Sequence, residues 1–127
     1  MTDRQAIEQL LGELYSARID GQLERLCALF ASDARFRIAG SSNGKPIAIS
    51  ARGIGDIRPW LAMLLKTFKI SRQEVLSRVI EGEAAAVYWR ADIHSKITGV
   101  VVPTELVDMV EVRGGRITSY VEFFVPS

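Results

Sequence analysis

The C-terminal part of the chain carries the clearest structural signal, in residues 101–125, VVPTELVDMVEVRGGRITSYVEFFV. Polar and apolar side chains alternate along Val101–Arg113 and again along Ile117–Val125. Alternation with a period of two residues is typical of β-strands that bury one face. Gly114-Gly115 is short enough to join neighbouring antiparallel strands. The stretch therefore predicts a β-hairpin.

Two further segments of the same kind precede this hairpin. Residues 70–81 and 85–97 also alternate with a period of two. The connections Glu81-Gly82-Glu83 and Thr98-Gly99 are short and contain the glycine that tight turns favour. The sequence thus predicts a meander of four antiparallel strands.

The first third of the chain has the spacing of two helices. Thr2 or Asp3 can cap the first helix, and Asp20-Gly21 ends it, because glycine readily adopts the left-handed conformation. The second helix is expected to stop at Ser32-Asp33, after which residues 35–38 alternate as a short strand. The helical stripes are Ile7, Leu10, Leu11, Leu14, Tyr15 and Arg18 in the first helix and Leu23, Leu26, Cys27 and Phe30 in the second.

A third helix is expected after a polar loop at residues 40–46, which are dense in turn-forming types. Asp56 can cap this helix, and Pro59 is tolerated in a first turn. Its buried face would contain Ile57, Trp60, Leu61, Leu64, Leu65 and Phe68. Helices followed by strands predict one α+β domain over residues 1–127, with helices on one face of a curved, mostly antiparallel sheet.

Composition excludes several classes of protein. The chain has 16 Lys and Arg against 15 Asp and Glu, with no long block of either sign, so neither a nucleic acid nor a membrane is expected as a partner. The single Cys27 cannot form an intramolecular disulfide. No apolar run approaches the ~20 residues that span a bilayer, and the N-terminus does not resemble a secretory signal. We expect a cytoplasmic protein.

Several short motifs, in this order, carry a resemblance to a known superfamily. They are Tyr15 ahead of Asp20-Gly21, LFASDA at 29–34, Arg52-Gly53, LVDMV at 106–110 and GRI at 115–117. Together they resemble the nuclear transport factor 2-like superfamily, in its SnoaL-like and ketosteroid isomerase-like branch. The superfamily also includes scytalone dehydratase and limonene epoxide hydrolase. The resemblance covers nearly the whole chain and implies a cone-shaped fold, in which three helices and one sheet face enclose a pocket.

Strand periodicity then predicts which side chains face that pocket. If Asp108 points inward, as its counterpart does in ketosteroid isomerases, its neighbours of the same parity do so too. In the last strand, alignment through the GRI motif directs Tyr120, Glu122 and Phe124 inward, although the opposite parity is equally apolar. The residues predicted to contact substrate are Ile38, Trp60, Trp89, Ile93, Leu106, Tyr120 and Phe124.

Tyr15 and Asp108 match, by local sequence, a Tyr and an Asp of the ketosteroid isomerases. An ionised carboxylate is costly in an apolar wall, so Asp108 must be partnered or have a raised pKa. The resemblance implies that the two side chains donate hydrogen bonds to an oxygen that gains negative charge. The alternative is a buried structural pair.

The sequence departs from the isomerases at the general base, because the position of that Asp is occupied by Ile38, after Arg37. The base would then be Glu122, or ionised Asp108, as in SnoaL-like cyclases. Glu122 is alternatively a solvated residue of the outer face. Two acids close together would divide into one neutral donor and one ionised base.

Other residues give weaker signals. His94, with Asp92 and Arg90, is expected on the outer face as a polar cluster, and no spacing suggests a metal site. Gly53-Ile54-Gly55 lacks the third glycine of a dinucleotide fingerprint, so no cofactor is expected. Cys27 is expected in the core.

The sequence therefore predicts a small SnoaL-like enzyme of uncertain catalytic status. It would perform cofactor-free acid/base chemistry of isomerase, cyclase or dehydratase type on a hydrophobic, cyclic, oxygen-bearing molecule. The alternative is a noncatalytic module that binds a small ligand or dimerises. Hydration or epoxide opening would need an acid near an arginine, for which only Arg37 or Arg90 is apparent. Outward-facing Val107, Met109 and Val121 predict a homodimer through the sheet.

Overall fold

Three helices and six strands make up the described residues, 2–42 and 44–126, of a computed structural model. They are α1 (Asp3–Ile19), α2 (Leu23–Cys27), β1 (Phe30–Ser42), β2 (Lys45–Arg52), α3 (Ile54–Thr67), β3 (Phe68–Glu81), β4 (Ala84–Ser95), β5 (Val101–Arg113) and β6 (Arg116–Pro126). The predicted α+β class is confirmed. None of the described helices has both the length and the apolar character that a membrane crossing needs.

The six strands form one curved, unclosed sheet in the order β2-β1-β6-β5-β4-β3. The meander from β3 to β6 is antiparallel throughout, as predicted. Strand β1 lies parallel to β6 and antiparallel to β2, so the sheet is mixed. The helices cover the inner face of this sheet, and the core lies between them.

Helix α1 begins with a capping box. The Thr2 hydroxyl accepts from the Gln5 backbone N–H at 3.1 Å, and the Gln5 side chain accepts from the Thr2 N–H at 2.9 Å. The predicted inner stripe of α1 is buried from Ile7 to Tyr15. This face holds the helix against the sheet and carries Arg18 one turn further on.

Helix α2 is shorter than its sequence spacing predicts. It ends at Cys27, and Phe30 begins β1 instead of closing a helical stripe. Phe30 pairs with Ile117 across the β1–β6 ladder and is 3% exposed. Pairing with a distant strand has overridden the local periodicity.

The start of α3 also differs from the prediction. Gly53 is the N-cap, with φ of 84°, and its carbonyl accepts from the N–H groups of Asp56 and Ile57. Asp56 is therefore inside the helix, and Pro59 lies in the second turn. Glycine tolerates this positive φ without the strain of a side chain, and it lets the chain turn directly from β2 into α3.

Much of the segment expected to be a loop is a hairpin of β1 and β2, and Asn43 lies outside the described residues. The composition of this segment suggested a loop because it contains residues that favour turns, such as Gly40. In the structure Gly40 instead packs within the sheet. A Cβ at Gly40 would lie 2.5 Å from the Phe124 carbonyl oxygen. Glycine thus permits the close approach of β1 to β6.

The structure shows which alternate side chains of β5 and β6 face the core. Asp108 and its alternate neighbours on β5 are buried, as predicted. On β6, Tyr120 is 3% and Glu122 2% exposed, and Phe124 is half-buried, whereas Phe123 is 42% exposed. Two acidic residues therefore enter the core from neighbouring strands.

Candidate active site

The site is built around a buried ion pair between α1 and β6. Arg18 lies in the last turn of α1, and its side chain is 13% exposed. Its Nη2 donates to Glu122 Oε1 at 3.0 Å, and its Nη1 donates to Glu122 Oε2. Two parallel N–H···O bonds are the strong geometry of an arginine–carboxylate pair.

Tyr120 and Trp89 fix this ion pair from two sides. Arg18 Nη1 also donates to the Tyr120 hydroxyl at 3.1 Å, and that hydroxyl donates to Glu122 Oε2 at 2.8 Å. The guanidinium carbon lies 5.6 Å from the centre of the Trp89 ring, within cation–π range. The orientation of Glu122 is therefore set by both Arg18 and Tyr120.

The ion pair holds both partners in their charged forms. Burial favours a raised pKa for Glu122, but the Arg18 guanidinium and its hydrogen bonds outweigh burial and lower that pKa below its ordinary value. Burial opposes the charge of Arg18, yet Glu122 keeps the Arg18 pKa well above its ordinary value. The site thus contains a fixed carboxylate and a fixed cation.

Asp108 forms a second hydrogen-bonded group behind the ion pair. Its Oδ2 accepts from the Tyr15 hydroxyl at 2.6 Å and from Trp89 Nε1 at 2.9 Å. Its Oδ1 is buried and has no hydrogen-bond partner among the residues that the structure describes. Burial, and next the negative charge of Glu122, raise the pKa of Asp108 well above its ordinary value. Burial and the neighbouring Glu122 therefore favour the protonated form of Asp108.

Asp108 and Glu122 face each other directly across the β5–β6 ladder. Opposed residues of an antiparallel pair have Cβ atoms roughly 5 Å apart, where two negative charges repel strongly. Arg18 pairs with Glu122 and offsets its charge, and the pKa of Asp108 is raised. Arg18 favours the ionised form of Glu122, whereas burial and the charge of Glu122 favour the protonated form of Asp108, against the hydrogen bond that Tyr15 donates to it.

A cavity of about 540 Å³ extends from this ion pair towards one end of the sheet. Arg18 and Glu122 lie at its inner end. The walls are mostly apolar and come from α3, all six strands and the β4–β5 loop. They include Ile38, Ile47, Leu65, Ile93, Leu106 and Phe124. This size and lining suit a small hydrophobic molecule with one polar end.

Of the residues predicted to contact substrate, Ile38, Ile93, Leu106 and Phe124 line this cavity. Trp60 does not line it and is 38% exposed on α3, because its position faces away from the sheet. Trp89 and Tyr120 are buried behind the lining. There Trp89 donates a hydrogen bond to Asp108, and Tyr120 donates one to Glu122.

The three predicted catalytic residues are brought together but are not equivalent. Glu122 lines the cavity, whereas Tyr15 and Asp108 form the hydrogen-bonded group behind it. Their catalytic roles remain predictions.

Sequence reasoning did not include Arg18 in the site. Its partner Glu122 is 104 residues away, so no local motif joins them. The available signal was a charged residue at the end of the apolar stripe of α1, where an unpaired charge would be costly. A buried carboxylate on another element was the partner that this position required.

Other sequence candidates lie elsewhere. His94 Nε2 lies 2.6 Å from the Ser71 hydroxyl oxygen, and Arg90 pairs with exposed Glu74. Cys27 is buried, as expected. Among the described residues, no three acidic, cysteine or histidine side chains are grouped as metal ligands.

The fold and the cavity define a protein of the cone-shaped, nuclear transport factor 2-like class. A SnoaL-like domain model matches residues 11–120. The chain therefore belongs to the SnoaL-like family, which confirms the resemblance found in the sequence. No curated protein sequence matches the chain.

Solved structures confirm the fold at low sequence identity. A Bacillus subtilis protein provisionally classed as an isomerase has a TM-score of 0.83 at 17% identity, over 98% of this chain and 89% of that one. A nuclear transport factor 2-like protein from Burkholderia xenovorans LB400 has a TM-score of 0.76 at 24% identity, over 94% and 89%. An M. tuberculosis epoxide hydrolase like limonene epoxide hydrolase has a TM-score of 0.71 at 15% identity, over 91% and 80%.

Proposed function

We propose that this protein is a cofactor-free acid/base enzyme that acts on a small, hydrophobic, cyclic molecule bearing an oxygen. The observation that carries the proposal is the Arg18–Glu122 pair at the inner end of an otherwise apolar cavity. A buried ion pair is weak evidence for stability, since apolar residues often replace one without loss. Its position at the end of a ligand-sized cavity favours a chemical role.

Arg18 would bind the substrate oxygen. Its described hydrogen bonds use three of the five N–H groups of a guanidinium, which leaves donors for a ligand. The guanidinium stays charged and is held in place by Trp89. A fixed cation beside a carbonyl stabilises the negative charge that develops on that oxygen when an adjacent C–H bond is broken.

Glu122 would accept the proton. The C–H electron pair then moves into the enolate, whose oxygen is held by Arg18, and Glu122 becomes a neutral acid that can return the proton to another carbon. Glu122 is a weak base while Arg18 binds it fully. A substrate oxygen that competes for the guanidinium would weaken this hold and raise the Glu122 pKa, so substrate binding itself would strengthen the base.

Tyr15 and Asp108 would act as positioning residues in this scheme. A protonated Asp108, which burial and the charge of Glu122 favour, would leave Glu122 as the single negative charge of the two acids. Tyr15 and Trp89 both donate to Asp108 Oδ2 and hold it in this place. Loss of the Tyr15 hydroxyl should have a larger effect on the pH dependence of the reaction than on the affinity for substrate.

Proton exchange into a bicyclic ketone tests the proposal. The probe is 2-tetralone in D₂O, with deuterium uptake followed by NMR. Glu122→Gln should lower the catalysed exchange by about 10²–10⁴-fold, the usual contribution of a general base. The matched control is Glu111→Gln, on the exposed face of β5. If the unmodified protein and its variants bind the ketone but none catalyses exchange, the proposed enzymatic function is refuted and the noncatalytic binding module is favoured.

Water addition, including epoxide opening, is a second candidate that one observation favours. The sequence offered only Arg37 or Arg90 beside an acid, but Arg18 supplies a buried arginine in direct contact with Glu122. An ionised Glu122 could take a proton from water, whose oxygen bonds to the substrate carbon as the C–O bond of the epoxide breaks. Protonated Glu122 then returns that proton to the released oxygen. Cyclohexene oxide distinguishes the two candidates, because hydration gives a diol and isomerisation leaves the mass unchanged.

We also propose that a second copy of the chain packs on the outer sheet face. The proposal is supported by the exposure of the predicted patch, in which Val107 and Val121 are half-buried and Met109 is 47% exposed. Val125, on the same face of β6, is 61% exposed. An apolar surface in the middle of a sheet commonly marks an association site.

The small hydrophobic ligand and the cytoplasmic location likewise remain predictions.

A further inference from the structure

All four lysines of the chain lie at one end of the sheet. They are Lys45, Lys66, Lys69 and Lys96. Lys45 begins β2, Lys66 lies in the last turn of α3, Lys69 is the second residue of β3 and Lys96 follows β4. Lys69 pairs with His94 next to the end of β4, and Lys45 pairs with Ser42 at the end of β1. The cavity reaches this same end, where Ser42, Ser95 and Thr98 line it.

These four lysines are exposed, and none forms an ion pair with an acidic side chain within residues 2–42 and 44–126. All eight ion pairs between described residues use arginine, and none of the lysines has a carboxylate within 4 Å. Residues 40–47, 66–70, 94–101 and 124–126 lie at this end, and these segments contain no Asp or Glu. Lys96 donates to the Leu65 carbonyl at 3.0 Å, which leaves its charge in place.

The charge distribution is therefore strongly uneven. The whole chain has a net charge of +1, with 16 basic and 15 acidic residues. The four lysines concentrate positive charge at this end, and the 12 arginines and 15 acidic residues of the rest sum to −3. The uneven distribution is invisible in the composition because the lysines come from three separate segments.

Exposed apolar side chains accompany the lysines. In the β4–β5 loop, Ile97 is 79% exposed and Val100 is 56% exposed. Val101 is 46% exposed at the start of β5, and Phe68 is 37% exposed between Lys66 and Lys69. Val100 and Phe68 also line the cavity. We call these apolar residues and the four lysines the mouth surface.

We propose that the mouth surface docks on an anionic lipid bilayer, so that an apolar molecule passes between the membrane and the cavity without crossing water. Apolar side chains that enter the headgroup region, ringed by cations, form the usual pairing at peripheral membrane sites. Lysine suits this position because its alkyl chain can cover apolar surface while its ammonium reaches a phosphate. This inference departs from the sequence-based expectation of no membrane partner, and it is independent of the chemistry assigned to Glu122.

Vesicle co-sedimentation tests the docking. The probes are vesicles of phosphatidylcholine alone and vesicles of phosphatidylcholine with phosphatidylserine in about a two-to-one ratio. We expect binding to the anionic vesicles, with weak retention on the neutral ones, and weaker binding at high salt. Removing one lysine charge near an anionic surface should weaken binding about fivefold. The double variant K66Q/K69Q should therefore bind about 25-fold more weakly.

Matched variants separate the contributions. R35Q/R113Q removes two exposed charges from the opposite end of the sheet and should bind as the unmodified protein does. Ile97→Ser should weaken binding about tenfold through lost apolar contact, with the charge unchanged. Glu122→Gln should leave vesicle binding intact, so failure of the catalytic proposal is distinguishable from failure of docking.

Three results would overturn the docking proposal. They are equal binding to neutral and anionic vesicles, an equal loss in K66Q/K69Q and R35Q/R113Q, and no vesicle binding together with lysine-dependent binding of polyglutamate. The last result would assign the mouth surface to an acidic protein. Competition by inorganic phosphate at concentrations that leave ionic strength unchanged would show recognition of free phosphate instead of a bilayer.

Discussion

Replacement of Arg18 by methionine should destabilise the protein because the buried carboxylate of Glu122 loses its cationic partner. In the folded protein the side chains of Arg18 and Glu122 are 13% and 3% exposed. Removing one partner of such a buried pair leaves an uncompensated charge and costs about 3–5 kcal/mol of unfolding free energy. This is a large part of the roughly 5–15 kcal/mol by which a domain of this size is stable. The urea midpoint at neutral pH should fall accordingly.

The pH dependence of this loss has a definite sign. In the unmodified protein the folded-state pKa of Glu122 is lowered, so the pair contributes stability above the unfolded pKa of about 4.3, and this contribution is lost as pH falls. Without Arg18, burial raises the pKa of Glu122. Protonation of Glu122 at acid pH then removes the cost of burying an unpaired carboxylate in the variant. The difference between the two proteins should therefore shrink as the pH falls from neutral through about 4.

Arg25→Met is the matched control, because the Arg25–Glu13 pair is exposed on both sides. Its urea midpoint should stay close to that of the unmodified protein. The reasoning is refuted if Arg18→Met lowers the midpoint no more than Arg25→Met does. It is equally refuted if the loss at neutral pH persists undiminished at acid pH.

Three further predictions concern Asp108, Gly40 and Met109. Asp108→Asn should remove a loss of stability that the unmodified protein shows as pH rises above about 4, up to roughly 1.4 kcal/mol per pH unit, which urea titrations at several pH values measure. Gly40→Ala should cost about 1–3 kcal/mol in urea unfolding, since its Cβ would lie 2.5 Å from the Phe124 carbonyl oxygen. Met109→Glu should shift sedimentation velocity from dimer to monomer while leaving the circular dichroism spectrum unchanged; a monomeric unmodified protein would contradict the proposed outer-face interface.

The elements that the sequence predicts correctly are those whose signal is local. Strands β3 to β6 are 11 to 14 residues long, and the inward parity of Asp108 follows from the regular alternation along β5. Tyr15 could be joined to Asp108 only through the resemblance, because 93 residues separate them. Distance along the chain limited the sequence analysis more than the strength of each pattern did.

The features that sequence reasoning missed depend on partners far away in the chain. Phe30 joins β1 because β6 offers a ladder, and helix α2 stops early for that reason. Gly40 appears as a loop residue until Phe124 is placed against it. Arg18 is unexplained until Glu122 lies beside it. In each case the tertiary neighbour decides between two locally acceptable conformations or roles.

The same ion pair separates function from stability in a final prediction. If Arg18 and Glu122 served only to hold α1 against β6, an apolar pair of similar size should do as well, because burying two charges requires their desolvation. The double variant R18M/E122L should recover the stability lost in Arg18→Met to within about 1 kcal/mol of the unmodified protein, while proton exchange into 2-tetralone is abolished. Urea unfolding and NMR exchange measure the two quantities on the same samples. A double variant less stable than Arg18→Met would show instead that the charged pair is a structural tie, and the proposed chemistry would lose the observation that supports it.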